Sequence, residues 1–261
     1  MFIEEIQKVD QLVFAPQNEL KKPKYNKIKI FTEGWQTGVV LTQPPRNSSK
    51  QTLEEIRTIQ KMYDATTPEE KEEYMLTDVD GSHYITQVLD ENDREWDQKK
   101  IDTITEQSKH VIRHYKNHYN RPRPFQVAQA LGIDYDKYNT ETSGTPSYPS
   151  GHTTQPYMVA NYYGKLYPDL KFELREAADK SAMGRVRAGL HYPSDIRAGI
   201  SLADQLIEYL DFDMIKEDAP MNSTGSAVST DHPLQHSKTL YRRKNEKDAK
   251  SLYKLLQKRY N

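Results

Sequence analysis

Apolar positions recur at helical spacing along most of the chain. After residue 47, Leu53, Ile56, Ile59 and Met62 fall on one stripe, behind an Asn-Ser-Ser cap and with Glu54 and Glu55 early in the helix. Thr67-Pro68-Glu69-Glu70 opens a second helical stretch. Three longer ones follow. Residues 102–119 carry Ile104, Val111, Tyr115 and His118 on a stripe, and 170–186 carry Leu174, Ala177, Ala178 and Ala182. Residues 194–210 carry Ile196, Ile200, Ala203, Leu206, Ile207 and Leu210. Residues 1–46 lack this period, and four prolines with a β-leaning run at 27–31 predict an extended arm with a short strand pair. With little strand signal beyond residue 50, the pattern predicts an all-α core.

The segment 213–237 changes character. It carries Asn-Ser-Thr-Gly-Ser and two histidines, and reads as a flexible linker. Residues 238–261 hold nine Lys/Arg against two acids, a net +7 that leaves −8 for the rest of a chain whose total is −1. A basic helical tail is expected there. Its charge offers a handle for nucleic acid or an acidic partner, although a solvated extension is the plainer reading.

Composition narrows the chemistry. Charged residues make up 29% and apolar ones 35%, and the absence of Cys excludes disulfides, zinc ribbons and thiol catalysis. The longest run free of Asp, Glu, Lys and Arg, residues 142–164, has 7 apolar residues in 23 and does not read as a membrane span. The opening MFIEEIQKVDQ does not read as a leader, so a soluble, cytoplasmic protein without membrane insertion is expected. Asp78-Val79-Asp80-Gly81 hints at a calcium loop. In that register the first and twelfth positions are Leu76 and Gln87, so the motif fails.

Three clusters suit a phosphate group. In KNHYNRPRPF, Lys116 near a helix end and Arg123, stiffened by Pro122 and Pro124, offer a point charge and a bidentate fork to an oxyanion. Taken alone, they could equally be cations favoured by a helix C-terminus. In SYPSGHTT, Ser150-Gly151 at a helix start exposes backbone N–H groups, and His152 beside them could donate a proton; an ordinary capped helix is the plain alternative. Pro156 suggests that this helix restarts after its first turns. In the third cluster, Arg185 lies on an otherwise apolar stripe, and His191 ends a loop before Pro193. Asp195, in the next helical turn, could take the Nδ1 proton of His191 and leave Nε2 free to attack, or the pair could simply be a satisfied core histidine and its cap.

In this order and at these spacings, the clusters resemble the signature of the type-2 phosphatidic acid phosphatase and vanadium haloperoxidase superfamily: K-x6-R-P, then P-S-G-H, then S-R-x5-H-x3-D. One position departs, Gly184 standing where that signature has Ser. The resemblance covers about 44–210 and is greatest to soluble class A bacterial acid phosphatases. It implies a helical bundle over 47–212 and a metal-independent phosphomonoesterase acting on a small phosphorylated substrate. Lys116, Arg123, Ser150, Gly151 and Arg185 would hold the phosphoryl oxygens. His191, oriented by Asp195, would form a phosphohistidine, and His152 would serve the leaving group and then water. No cofactor is implied, with vanadate binding as an inhibitor.

Two alternatives remain at this stage. The same pocket could hold vanadate as the cofactor of a haloperoxidase, although the chain length favours the phosphatase. The chain could also be a non-catalytic phosphate or nucleic-acid binder, although binding alone needs cations rather than two histidines and Asp195. His110, His114 and His118 repeat every four residues, but His114 lies about 160° from Lys116 on a helical wheel and is expected on a hydrated edge. The sequence sets no oligomeric state.

Overall fold

A computed structural model describes residues 3–217. The stretch expected as an extended arm begins with helix α1 (Ile3–Asp10). It continues as an irregular segment with one short helix, α2 (Trp35–Gly38), and forms an isolated antiparallel bridge, Phe31 to Leu210, in place of a strand pair. The segment is tied to the body by side chains that satisfy its backbone. Asn47 Nδ2 donates to the carbonyls of Val9 and Leu12, and Asn120 Nδ2 to that of Ala15.

The body is helical, as the periodicity predicts. Helix α3 (Lys50–Asp64) starts where Ser49 Oγ accepts from Thr52 N–H, and α4 (Pro68–Val79) starts on a reciprocal Thr67–Glu70 capping box with Pro68 in the first turn. The next two are α5 (His83–Glu91) and α6 (Gln98–Tyr119). Asn120, in the left-handed region at φ 43°, ends α6, and α7 (Pro124–Ala130) follows at once. Helices α8 (Gly151–Leu166), α9 (Lys171–Arg187) and α10 (Pro193–Leu206) complete the core, and α11 (Phe212–Glu217) follows them. Thus 213–217, the start of the expected linker, is helical. The rest of the linker and the basic tail lie outside the described residues.

Helix α8 is the central element. Met158, Val159, Ala160, Tyr162 and Tyr163 are buried around its circumference, and it packs against α6, α9 and α10. It runs through Pro156 without restarting, losing only the backbone bond that a proline cannot make. Helix α9 packs on it, with Ala177 and Ala178 in the same core cluster, and also packs against α3, α4 and α5. Gly199 on α10 faces the first turn of α8 so closely that a Cβ would lie 2.8 Å from the Ser150 carbonyl oxygen. Among the described residues no helix is long and apolar enough to cross a membrane.

The histidine stripe on α6 is covered at its start, contrary to expectation, whereas His118 is exposed. His110 is buried, its Nδ1 accepting from Lys24 N–H at 3.3 Å, and His114 Nδ1 lies 2.8 Å from the Tyr25 hydroxyl. The N-terminal segment lies over that face, a long-range contact that a helical wheel of α6 alone does not reveal.

Candidate active site

The end of α6 with the loop before α7, the start of α8, and the end of α9 with the start of α10 converge and bring the three clusters together. Pro193 opens α10 with Tyr192 at the cap position, which places Asp195 at the third helical residue. From there Asp195 Oδ2 accepts from Tyr192 N–H (3.0 Å) and lies 3.1 Å from His191 Nδ1. Arg123 NH1 lies 2.9 Å from His191 Nε2 and can only donate. The ring proton therefore sits on Nδ1, facing Asp195, and the Nε2 lone pair faces the cations. This is the tautomer expected from the sequence.

Arg123 and Arg185 are both about 1% exposed. Arg123 also donates to the carbonyls of Thr145 and Leu190, each at 2.9 Å. Lys116 is buried, its ammonium donating to the Pro146 carbonyl, and its Cε would lie 3.8 Å from a Cβ at Gly151. Arg185 Nε has no hydrogen-bond partner among the described residues. Nor do the N–H groups of Gly151 and His152, at the start of α8, meet an acceptor among them. Ser150 does not cap α8 with its side chain. It occupies the cap position, but its hydroxyl accepts from Thr153 Oγ1 (2.9 Å) instead of capping the helix, and its N–H donates to the Asp195 carbonyl (3.1 Å).

Crowded cations govern the protonation states. Burial, then Arg123, Lys116 and Arg185, hold His191 well below the ordinary histidine range, so it is neutral at neutral pH. Burial, Arg185 and the other cations push His152 down to about 3, although Asp78 opposes them. Burial and Arg123 likewise hold Lys116 well below its usual value. An oxyanion entering this pocket would relieve all three.

Several residues that complete the site escaped the sequence reading. Arg121, 2% exposed, donates to Asp195 Oδ1 at 2.6 Å and to Ser194 Oγ at 2.8 Å, and stacks over the Tyr192 ring at 3.9 Å. Glu55, read as an early-helix acid, is buried and accepts from Ser194 Oγ (2.6 Å) and Arg197 (2.9 Å). On the opposite side, Arg185 meets Tyr74 and Asp78 from α4 and Thr142 from the loop before α8. A Cβ at Gly184 would meet the Tyr74 ring at 3.4 Å, an ordinary packing contact. Arg121 carried a sequence signal, being the second arginine beside Pro122; Asp78 carried none. Among the described residues, no group of three or more His, Asp or Glu is placed to hold a metal ion.

A family model described as the PAP2 superfamily matches residues 104–204, a span that includes every site residue expected from the sequence but not Tyr74 or Asp78. An acid phosphatase of Zymomonas mobilis subsp. mobilis is 35% identical over 89 residues, 34% of this chain and 33% of that protein. The crystal structure of a bacterial vanadium-dependent iodoperoxidase matches with a TM-score of 0.50 at 15% identity, over 71% of this chain and 54% of that one. A PAP2-type phosphatidylglycerolphosphate phosphatase from Bacillus subtilis matches with a TM-score of 0.40 at 16% identity, over 65% and 88%. The chain thus spans about a third of the curated relative and about half of the iodoperoxidase.

Proposed function

We propose, from the match of residues 104–204 to the PAP2 superfamily, that the chain is a phosphatase that hydrolyses phosphomonoesters through a phosphohistidine at His191. The observation that carries this reading is the buried line Arg123–His191–Asp195, which holds a neutral imidazole with its proton on the Asp195 side and its lone pair toward the cations.

In this reading, a phosphoryl group enters among Lys116, Arg123 and Arg185 and takes the free N–H groups of Gly151 and His152. Ser150 lines the same turn. Arg123 exchanges its bond to Nε2 for a phosphoryl oxygen and so releases the lone pair. Nε2 attacks phosphorus as the P–O bond to the leaving group breaks. The leaving oxygen takes a proton from His152, which gains that proton as the bound dianion offsets the cations around it. Neutral His152 then accepts a proton from water as the water oxygen attacks phosphorus and the P–N bond breaks. Charge on the equatorial oxygens is greatest in the two transition states, where fixed cations act most strongly; losing one such donor should cost about 3–4 kcal/mol, on the order of 10²–10³ in rate. The substrate side is a small phosphorylated molecule, and the cations supply the charge that a metal would otherwise bring, so no metal is required.

Vanadate would be held by the same cations and His191, with the spare Arg185 Nε among its donors, and when bound it supplies the activation of peroxide used by haloperoxidases. The phosphatase reading is tested with p-nitrophenyl phosphate. Turnover by the wild type that persists in EDTA and is lost in His191→Ala supports it. A silent wild type refutes it.

A further inference from the structure

A carboxylate lies among the groups assigned to phosphate. Asp78, next to the end of α4, pairs with Arg185 from outside the sequence signature. Its Oδ1 accepts from Arg185 NH1 and from Thr142 Oγ1 (2.7 Å) and lies 3.6 Å from His152 Nε2. Its Oδ2 accepts from Thr140 Oγ1 at 2.8 Å. Burial opposes its charge, but Arg185, His152 and the two threonine hydroxyls outweigh burial and hold the carboxyl below the ordinary range. It is therefore an anion at neutral pH. The other terminal nitrogen, NH2, donates to Thr142 Oγ1 at 2.9 Å, while Nε stays unpartnered among the described residues. Both ends of the Arg185 fork are thus engaged by the Asp78–Thr142 pair.

A phosphate ester in this pocket would put one oxygen on the arginine fork and its leaving-group oxygen beside His152. Asp78 already joins those two groups. A phosphoryl oxygen and a carboxylate oxygen cannot both take Arg185 NH1 without two negative charges meeting in a buried site, where repulsion is poorly screened.

We propose that Asp78 is an internal competitor that sets the charge threshold of the site: it yields Arg185 to the dianion of a phosphate monoester and keeps it against monoanions such as phosphodiesters. The identification of Arg185 and His152 as oxyanion groups rests on the phosphatase reading, but the competition is read by binding alone. Asp78 lies outside the 104–204 match, so the device belongs to the α4 side of this chain.

The test is calorimetric binding of inorganic phosphate and of dimethyl phosphate to the full chain, wild type against Asp78→Asn and, should that variant not fold, Asp78→Ser. Loss of the carboxylate is expected to tighten phosphate by about tenfold or more and to make dimethyl phosphate binding measurable. Unchanged or weaker phosphate binding would overturn the proposal, because Asp78 would then be a prop for Arg185. A second readout needs no substitution. Phosphate should speed amide exchange at Thr142, whose N–H donates to Thr140 Oγ1, as Asp78 lets that loop go. Slower exchange there would count against displacement. Neither readout depends on turnover, so a catalytically silent wild type would refute the phosphatase and leave this result standing.

Discussion

Arg121 NH1 lies 2.6 Å from Asp195 Oδ1, and both side chains are almost fully buried. The other carboxylate oxygen faces His191 Nδ1, so one buried anion is shared between a structural cation and the His191 imidazole. The link continues through Ser194 and Glu55 to Arg197 at the surface. Asp195 is thereby fixed before any substrate arrives.

Breaking that link leaves a buried carboxylate without its partner. Arg121→Leu is expected to lower stability by about 3–5 kcal/mol in urea unfolding. In protein that remains folded, kcat on p-nitrophenyl phosphate should fall while phosphate affinity changes little, because Arg121 faces Asp195 and not the anion. A variant as stable and as active as wild type would remove Arg121 from the account.

The depressed histidine fixes the sign of an acid response. His152 binds its proton far more weakly in the folded pocket, at about 3, than in the unfolded chain at about 6.5. Across that window the unfolded state holds more protons, so stability falls as pH drops from about 6.5 towards 3. Unfolding curves at a series of pH values should show a shallower decline in His152→Asn than in the wild type. Phosphate should also flatten the decline, since it offsets the cations responsible. Equal slopes in both proteins would contradict the assignment.

The contact between α10 and α8 has no room for a side chain at Gly199. A Cβ would lie 2.8 Å from the Ser150 carbonyl oxygen and 2.9 Å from Thr153 Cβ. Gly199→Ala is expected to cost about 1–3 kcal/mol and, by pushing the Ser150–Gly151 turn away from Asp195, to raise KM for p-nitrophenyl phosphate. Thermal melting and steady-state kinetics check both, and an unchanged melt would contradict the close contact between Gly199 and the Ser150 turn.

Much of this arrangement was legible in the sequence. Helices α3, α6 and α10 each present one apolar stripe, and the charged set from Lys116 to Asp195 follows spacing within single loops and helix ends. Helix α5 was not legible, because it buries only Ile85 and Leu89 and follows Asp-Gly. Helix α7 was hidden by prolines that read as a loop, although Pro124 stands in its first turn. Helix α8 is buried all round and shows no amphipathic period. In the site, Asp78 meets Arg185 across 107 positions, and Glu55 meets Ser194 across 139. Such pairs follow from how α3 and α4 pack on α9 and α10, which no local pattern encodes.

The central claim is the covalent intermediate. The most direct measurement is peptide mapping of protein quenched in alkali within milliseconds of mixing with p-nitrophenyl phosphate, conditions under which an N–P bond survives. The expected result is a phosphoryl group on the peptide bearing His191, absent in His191→Ala. Steady turnover with no phosphoryl group on that peptide would contradict the account.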